Sequence, residues 1–176
     1  MKKVFPLSKV YTLLEPGPVM LVSTALKGRN NVMPMSWHTM IDFNPPLVGC
    51  VISDRNYTFG VLKKTKECVI NIPTAEIAGK TVACGNVSGA KKDKFAAFGL
   101  TPRAASAVKA PLIEECYASL ECRLKDAGMA GKYNLFVLEV VKAWVDASKR
   151  GKTIHHLGKD AFMVAGRTIK VPSKML

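Results

Sequence analysis

Apolar residues fall along the chain in short runs bounded by glycine, proline and asparagine, which is the pattern of strands and tight turns rather than of long helices. Residues 19–24, VMLVST, are almost continuously apolar and predict a strand buried on both faces. Lys27-Gly28-Arg29-Asn30-Asn31 predicts a hairpin turn, because Gly and Asn accept positive φ. Further strands are expected over residues 32–40, 47–53 and 68–72. Residues 117–125 alternate, with Leu120, Cys122 and Leu124 facing inward and Glu121, Arg123 and Lys125 outward. A long strand signal follows over residues 133–145.

Helical segments are few. Residues 57–65 have helical composition. Residues 75–83 read as a helix in which Ile77, Ala78 and Val82 pack and Glu76 pairs with Lys80. Residues 93–98 form another short piece, and Gly85-Asn86-Val87-Ser88-Gly89 is a loop. Residues 1–17 read as an arm with one helical turn at 10–14. Residues 99–116 are weakly patterned, and a last hairpin is expected around Gly166. Many short strands with little helix between them predict a mainly β fold: a closed antiparallel barrel of roughly six to seven strands with short capping helices.

At 176 residues, 48% of them hydrophobic, the chain reads as one folded domain, residues 1–176. No run of about 18 uncharged apolar residues is present to span a membrane. At the start, Pro6, Ser8, Lys9 and Glu15 interrupt what would be the core of a secretion signal, so a cytoplasmic protein is expected. The cysteines at 50, 68, 84, 116 and 122 are odd in number and lack Cys-x-x-Cys spacing, so reduced buried thiols are expected rather than disulfides or zinc. His155 and His156 would point to opposite sides of a strand, with Asp160 the nearest acid, and no metal site is expected. The net charge of +13 suits an acidic partner or a small anion. No aromatic-interleaved basic stripe marks a specific nucleic-acid face.

Candidate chemistry gathers between residues 33 and 72. Ser53, Arg55 and Thr58 stand at the start of the 57–65 helix, where free N–H groups and the positive dipole end can hold a phosphate. An ordinary turn and cap would use the same residue types. The run Ser36-Trp37-His38-Thr39-Met40 could line a flat aromatic ligand, although Trp37 also reads as a core aromatic and His38 as a strand-end histidine. Cys50 lies on the neighbouring strand, where core filling is the alternative. Together these residues suggest a phosphorylated, planar cofactor.

The chain resembles the flavin reductase-like family with the FMN-binding split-barrel fold, and within it the flavoredoxin type. The matching pieces are Pro16-Gly17-Pro18-Val19, Asn31-x-Met33-Pro34-x-Ser36-Trp37, Asn44-Pro45-Pro46, Ser53-x-Arg55-x-Tyr57-Thr58, Val69-Ile70-Asn71-Ile72-Pro73, and Asp93-Lys94-Phe95. The resemblance implies a split β-barrel with FMN as cofactor. It implies phosphate contacts from Ser53, Arg55 and Thr58, and ribityl contacts from Asn56 and Tyr57. It also places Ser36, Trp37, His38, Thr39 and Met40 around the isoalloxazine, Cys50 against it, and Lys94 and Phe95 near the cofactor or the substrate entrance. Homodimers are implied too. The family's Gly-Asp-His motif is replaced here by Gly131-Lys132-Tyr133-Asn134, which weakens the case for nicotinamide as hydride source. The expected function is therefore an FMN-binding redox protein, a flavoredoxin-like electron carrier or flavin reductase, with an acidic electron-transfer protein or NAD(P)H as donor. An NAD(P)H-dependent reductase using flavin as substrate, and a split-barrel ligand-binding protein without redox chemistry, are the alternatives.

Overall fold

Short strands and tight turns dominate the computed structural model, which describes residues 2–10, 18–149, 151–158 and 160–172. The helical turn expected at 10–14 lies almost wholly outside them. The strands are β1 (Lys3–Val4), β2 (Met20–Leu26), β3 (Arg29–Met35), β4 (His38–Phe43), β5 (Pro46–Val51), β6 (Glu67–Ile72), β7 (Pro102–Arg103), β8 (Leu112–Ile113), β9 (Ala118–Asp126), β10 (Leu135–Val145), β11 (Ile154–Gly158) and β12 (Ala161–Val164). Helices α1 (Tyr57–Thr65), α2 (Ala78–Gly85), α3 (Lys94–Phe98) and α4 (Ala130–Tyr133) are all short. The main sheet follows the path β3-β2-β6-β9-β10-β5-β4, with β1 added to β10, and every pairing in it is antiparallel.

The path is open: β3 and β4 end it on opposite sides, although only Ser36 and Trp37 separate them in sequence. The seam is bridged by that short connection and by the His38 ring, whose Nε2 lies 2.8 Å from the Pro18 carbonyl oxygen. The closed ladder expected from the strand pattern is thus not formed among the described residues. The single strand expected over residues 32–40 is instead two strands that change partner, β3 pairing with β2 and β4 with β5. Pro34 sits opposite Leu21 on a path-ending strand, where its missing N–H costs no ladder bond.

The continuous apolar runs have a clear cause. On β2, Met20 and Val22 face the barrel interior with Ile70, Leu120 and Leu138, while Leu21 joins an outer cluster with Phe95 and Ile113. Both faces of the strand are buried, so no polar alternation is required. The β2–β3 turn has φ of 52° at Lys27 and 77° at Gly28, the two-residue geometry that matches strand twist, and strand pairing resumes at Arg29. α1 lies where expected and sets Phe59 edge-on to Phe136, with centroids 5.1 Å apart.

Several other expectations are corrected. The helix over 75–83 is a 3-10 turn at Ala75–Ile77 followed by α2. Ile77, Thr81 and Cys84 are buried while Val82 is exposed, and Lys80 donates to the Gly99 carbonyl rather than pairing with Glu76. The last hairpin is β11–β12, before Gly166. Glu121 does not face solvent. The weakly patterned segment folds over it, so its carboxylate accepts from the Ser106 and Ala107 N–H groups, the Ser106 hydroxyl and Trp144 Nε1. Burial alone would favour the neutral acid, but these donors outweigh it and hold the carboxyl below its usual range. The cysteines are all free and buried as expected.

A second buried polar cluster pins the same segment. Asn71 Nδ2 donates to Leu21 O and Ser23 Oγ, and its Oδ1 accepts from Ile113 N and Ser119 Oγ. Lys2 Nζ donates to Ser119 Oγ at 2.8 Å and to Ile113 O. Burial pulls the Lys2 pKa from 10.5 to about 8. Below pH 8 the ammonium is charged in both folded and unfolded chains, and its burial cost is present in full. Between pH 8 and 10.5 the folded chain binds fewer protons, so the Lys2 contribution to stability rises with pH, by up to about 3 kcal/mol. Urea denaturation of the wild type and Lys2→Met at pH 7.5 and 10 checks this: the wild type gains relative to the variant at the higher pH. A difference that ignores pH contradicts it.

Candidate functional site

The outer end of β3 carries a branched depression. One arm, about 460 Å³, is lined by Asn31, Arg55, Thr58, Ser88, Gly89 and Lys94 among others. A second, also about 460 Å³, is lined by Met33, Met35, Ser36, Trp37, Ser53, Asn134 and their neighbours. A third, about 350 Å³, lies between Val19, Thr81 and the β11–β12 hairpin. Pro34 borders all three, and Arg55 and Asn56 border the first two.

The first arm is built for an anion. The chain turns at Ser53-Asp54, where Ser53 Oγ accepts from Arg55 N at 3.3 Å, and α1 then starts at Tyr57. Asn56 precedes the helix without a capping side-chain hydrogen bond, so no side chain of its own blocks the positive end. Arg55 is exposed beside it. Opposite stands Lys94, only 3% exposed, its Nζ donating to the Cys84 carbonyl at 2.6 Å. Burial lowers the Lys94 pKa, against an opposing contribution from Cys84, and pushes the Cys84 thiol up to about 11. Cys84 is therefore no nucleophile at neutral pH. Asp93 caps α3 by accepting from Phe95 N and Ala96 N, which fixes where Lys94 emerges.

The wall between β3 and the 85–89 loop is close-fitted. Asn31 Nδ2 donates to Thr58 Oγ1 at 2.9 Å, leaving the threonine proton available to another acceptor. Asn31 Oδ1 is buried without a partner among the described residues. A Cβ added at Gly89 would stand 1.8 Å from that same oxygen, so only glycine lets the loop approach. An orphaned buried oxygen, an uncapped helix start and two cations around one cavity suit a phosphorylated ligand with hydrogen-bonding hydroxyls.

The second arm is flatter and mixed in character. Trp37 is 71% exposed beside Ser36, so it is not a core aromatic. Asn134, in left-handed conformation after α4, contributes a polar edge.

Of the residues singled out from sequence, Ser36, Trp37, Ser53, Arg55, Tyr57, Thr58 and Lys94 come together around the first two arms. Ser53 stands in the second arm rather than beside Lys94. Five others border none of the three. His38 points to Pro18: a carbonyl only accepts, so Nε2 carries the proton, and Nδ1 is buried without a partner among the described residues. Burial lowers its pKa, opposed by the Pro18 contact. Thr39 is exposed on β4, and Met40 packs partly against the barrel core. Cys50 is a fully buried core residue, because the β5 register turns it inward, and burial raises its pKa. Phe95 likewise lies outside the arms, packed in the outer cluster. Asn31, Ser88, Gly89 and Asn134 line the depression but were not singled out. The Gly-Asn-Val-Ser-Gly composition of the 85–89 loop was the available signal, since close backbone approach needs glycine.

The family model described as the flavin reductase like domain matches residues 13–163. The uncharacterized protein YddH of Escherichia coli K12 is 31% identical over 172 residues, which cover 89% of this chain and 91% of that one. An FMN-binding domain of a flavin reductases-like enzyme from Shewanella baltica OS155 superposes with a TM-score of 0.91 at 26% identity, covering 98% of each chain. The flavoredoxin of Desulfovibrio vulgaris (Miyazaki F) superposes with a TM-score of 0.81 at 23% identity, covering 90% of this chain and 91% of that one, a likeness of fold.

Proposed function

Because the chain belongs to the flavin reductase-like domain family, we propose that it is a redox protein that binds FMN in the first two arms and passes electrons through it. The observation that carries this reading is the continuity of a basic, close-fitted anion cavity with a flatter arm across the shared residues Arg55 and Asn56. FMN supplies one- and two-electron chemistry that protein side chains lack. Arg55, Lys94 and the start of α1 would neutralise and orient the phosphate. Thr58 donates its hydroxyl proton, and Tyr57 borders the passage toward the second arm. Ser36, Ser53 and Asn134 supply polar contacts along the ring position, and Trp37 covers it.

Within this function, a flavoredoxin-like electron carrier is favoured over a nicotinamide-dependent flavin reductase. The Gly131-Lys132-Tyr133-Asn134 segment lacks an acid and a histidine, and exposed Arg55, Lys63, Lys64, Lys91 and Lys92 suit an acidic donor protein. Stopped-flow mixing of the FMN-loaded protein with NADH, NADPH or a reduced ferredoxin tests this. Fast reduction by ferredoxin and slow reduction by both nicotinamides is expected. Fast reduction by NADH alone would make it an NADH-dependent flavin reductase.

A second copy of the chain is proposed as a further partner. Strand β4 ends the sheet path and exposes Ile41 and Phe43, at 49% and 57%, beyond Trp37 of the preceding connection, 71% exposed in the ring arm. Such an apolar edge is the kind that pairing covers. Sedimentation should give a dimer for the wild type, and Ile41→Lys/Phe43→Lys should shift it to monomer at micromolar concentration. An unchanged sedimentation coefficient contradicts this.

A further inference from the structure

A groove of about 400 Å³ runs along α1, outside the three arms, and nothing in the cofactor reading fills it. One helix face supplies Tyr57, Gly60, Val61 and Lys64, at the i, i+3, i+4, i+7 spacing that puts residues in one row. Leu26 of β2 and Ser88 and Ala90 of the later loop line it as well.

Gly60 has no structural reason to be glycine. A helix interior disfavours glycine more than any residue but proline. Packing does not require it, because a Cβ added at Gly60 would meet nothing within 4 Å. The missing side chain leaves a notch in the helix face, open to whatever approaches from outside. Half-buried Leu26 and Phe59 and buried Val61 give the groove an apolar floor.

The surface around this notch is cationic. Arg55 and Lys64 line the groove and are exposed. Lys63 Nζ stands 5.5 Å from the centroid of the Phe59 ring. Next to Ala90, Lys91 N and Lys92 N both donate to Ser88 O, a turn that sets two further exposed lysines beside the groove. The carboxylate among the lining residues is Asp54. Cations around an apolar notch complement an acidic protein surface with an apolar side chain at its centre.

We propose that the α1 groove is the docking surface for the electron donor, an acidic protein that seats one side chain on Gly60 and sets its carboxylates against Arg55, Lys63, Lys64, Lys91 and Lys92. This rests on the FMN reading above and gives the acidic donor named there its place on the molecule. Arg55, Asn56, Tyr57 and Ser88 line both the groove and the first arm, so a docked donor abuts the phosphate end of the cofactor site. In each encounter one electron leaves the donor's metal centre for the flavin, and no bond forms or breaks.

Biolayer interferometry of the FMN-loaded protein over an immobilised, oxidised two-iron ferredoxin tests the surface without turnover. Binding is expected at low salt and should weaken about ten-fold or more between about 20 and 200 mM salt. Lys64→Glu should weaken it about ten-fold or more. Gly60→Leu should do the same by filling the notch, to a similar extent at both salt concentrations, while its melting temperature holds or rises. Both variants should keep the flavin content of the wild type, read from visible absorbance. Lys3→Glu, exposed on β1, should change binding less than about three-fold. Wild-type affinity in either groove variant, or no binding by the wild type at low salt, overturns the docking surface. Flavin-loaded protein that binds ferredoxin but ignores both groove substitutions keeps the cofactor reading and discards the groove. Protein that binds ferredoxin through Gly60 and Lys64 yet takes up no FMN keeps the groove and discards electron passage through a flavin.

Discussion

Arg55→Ala is expected to weaken FMN binding about 100-fold, measured by fluorescence quenching as FMN is titrated into apoprotein. The guanidinium borders both cofactor arms and stands beside an uncapped helix start. A phosphate held there carries close to two negative charges and meets Arg55 through charge-assisted hydrogen bonds, each about twice as strong as a neutral one. Losing such a pair costs about 2–3 kcal/mol, and 2.7 kcal/mol is two orders of magnitude in Kd. Arg55 is exposed in the absence of ligand, so folding stability should change by no more than about 0.5 kcal/mol. Arg55→Lys should recover only part of the affinity, because an ammonium cannot form the planar fork. Lys91→Ala, outside the depression, serves as the charge control. A change of less than about three-fold for Arg55→Ala would remove the phosphate from the first arm.

The largest expected effect on folding belongs to Asn71→Leu, at about 3–4 kcal/mol of lost stability in urea denaturation. Asn71 is fully buried and uses both ends of its amide: Nδ2 to Leu21 O and Ser23 Oγ, Oδ1 from Ile113 N and Ser119 Oγ. Leucine has similar volume but no polar atoms, so the Ile113 N–H loses its partner and is stranded without water. Lys2, already buried, depends on Ser119 and Ile113 from the same cluster. Ser23→Ala should cost only about 1 kcal/mol, since Asn71 Nδ2 keeps its bond to Leu21 O. A loss below 1 kcal/mol for Asn71→Leu would mean that the 99–113 segment is not held through this amide.

Local pattern revealed what local physics decides. The apolar runs of β2, β5 and β6, the positive-φ pair at Lys27 and Gly28, and helix α1 all lie close to their expected positions. Strand partnership was less legible. Residues 32–40 read as one strand, because a change of partner at Ser36-Trp37 leaves no trace in periodicity. Glu121 obeys the outward alternation of β9, but residues 105–107 fold over that face and supply donors that only the tertiary structure brings near.

The same division runs through the site. Ser36, Arg55, Tyr57, Thr58 and Lys94 were identifiable because family resemblance and helix-end chemistry agree on them. Cys50 and Phe95 lie near in sequence to residues lining the depression, but strand register and helix face turn both into the two cores. Asn31 and Gly89 escaped notice because each matters only through the other: the glycine makes room for the amide oxygen. The third arm lies between β11–β12 and α2, elements distant in sequence.

The most direct test of the account is the visible spectrum of the protein as purified, followed by acid release and chromatography of its chromophore. The structure and family together predict flavin absorption bands and FMN released at about one per chain. A colourless protein that also takes up no added FMN would contradict the account.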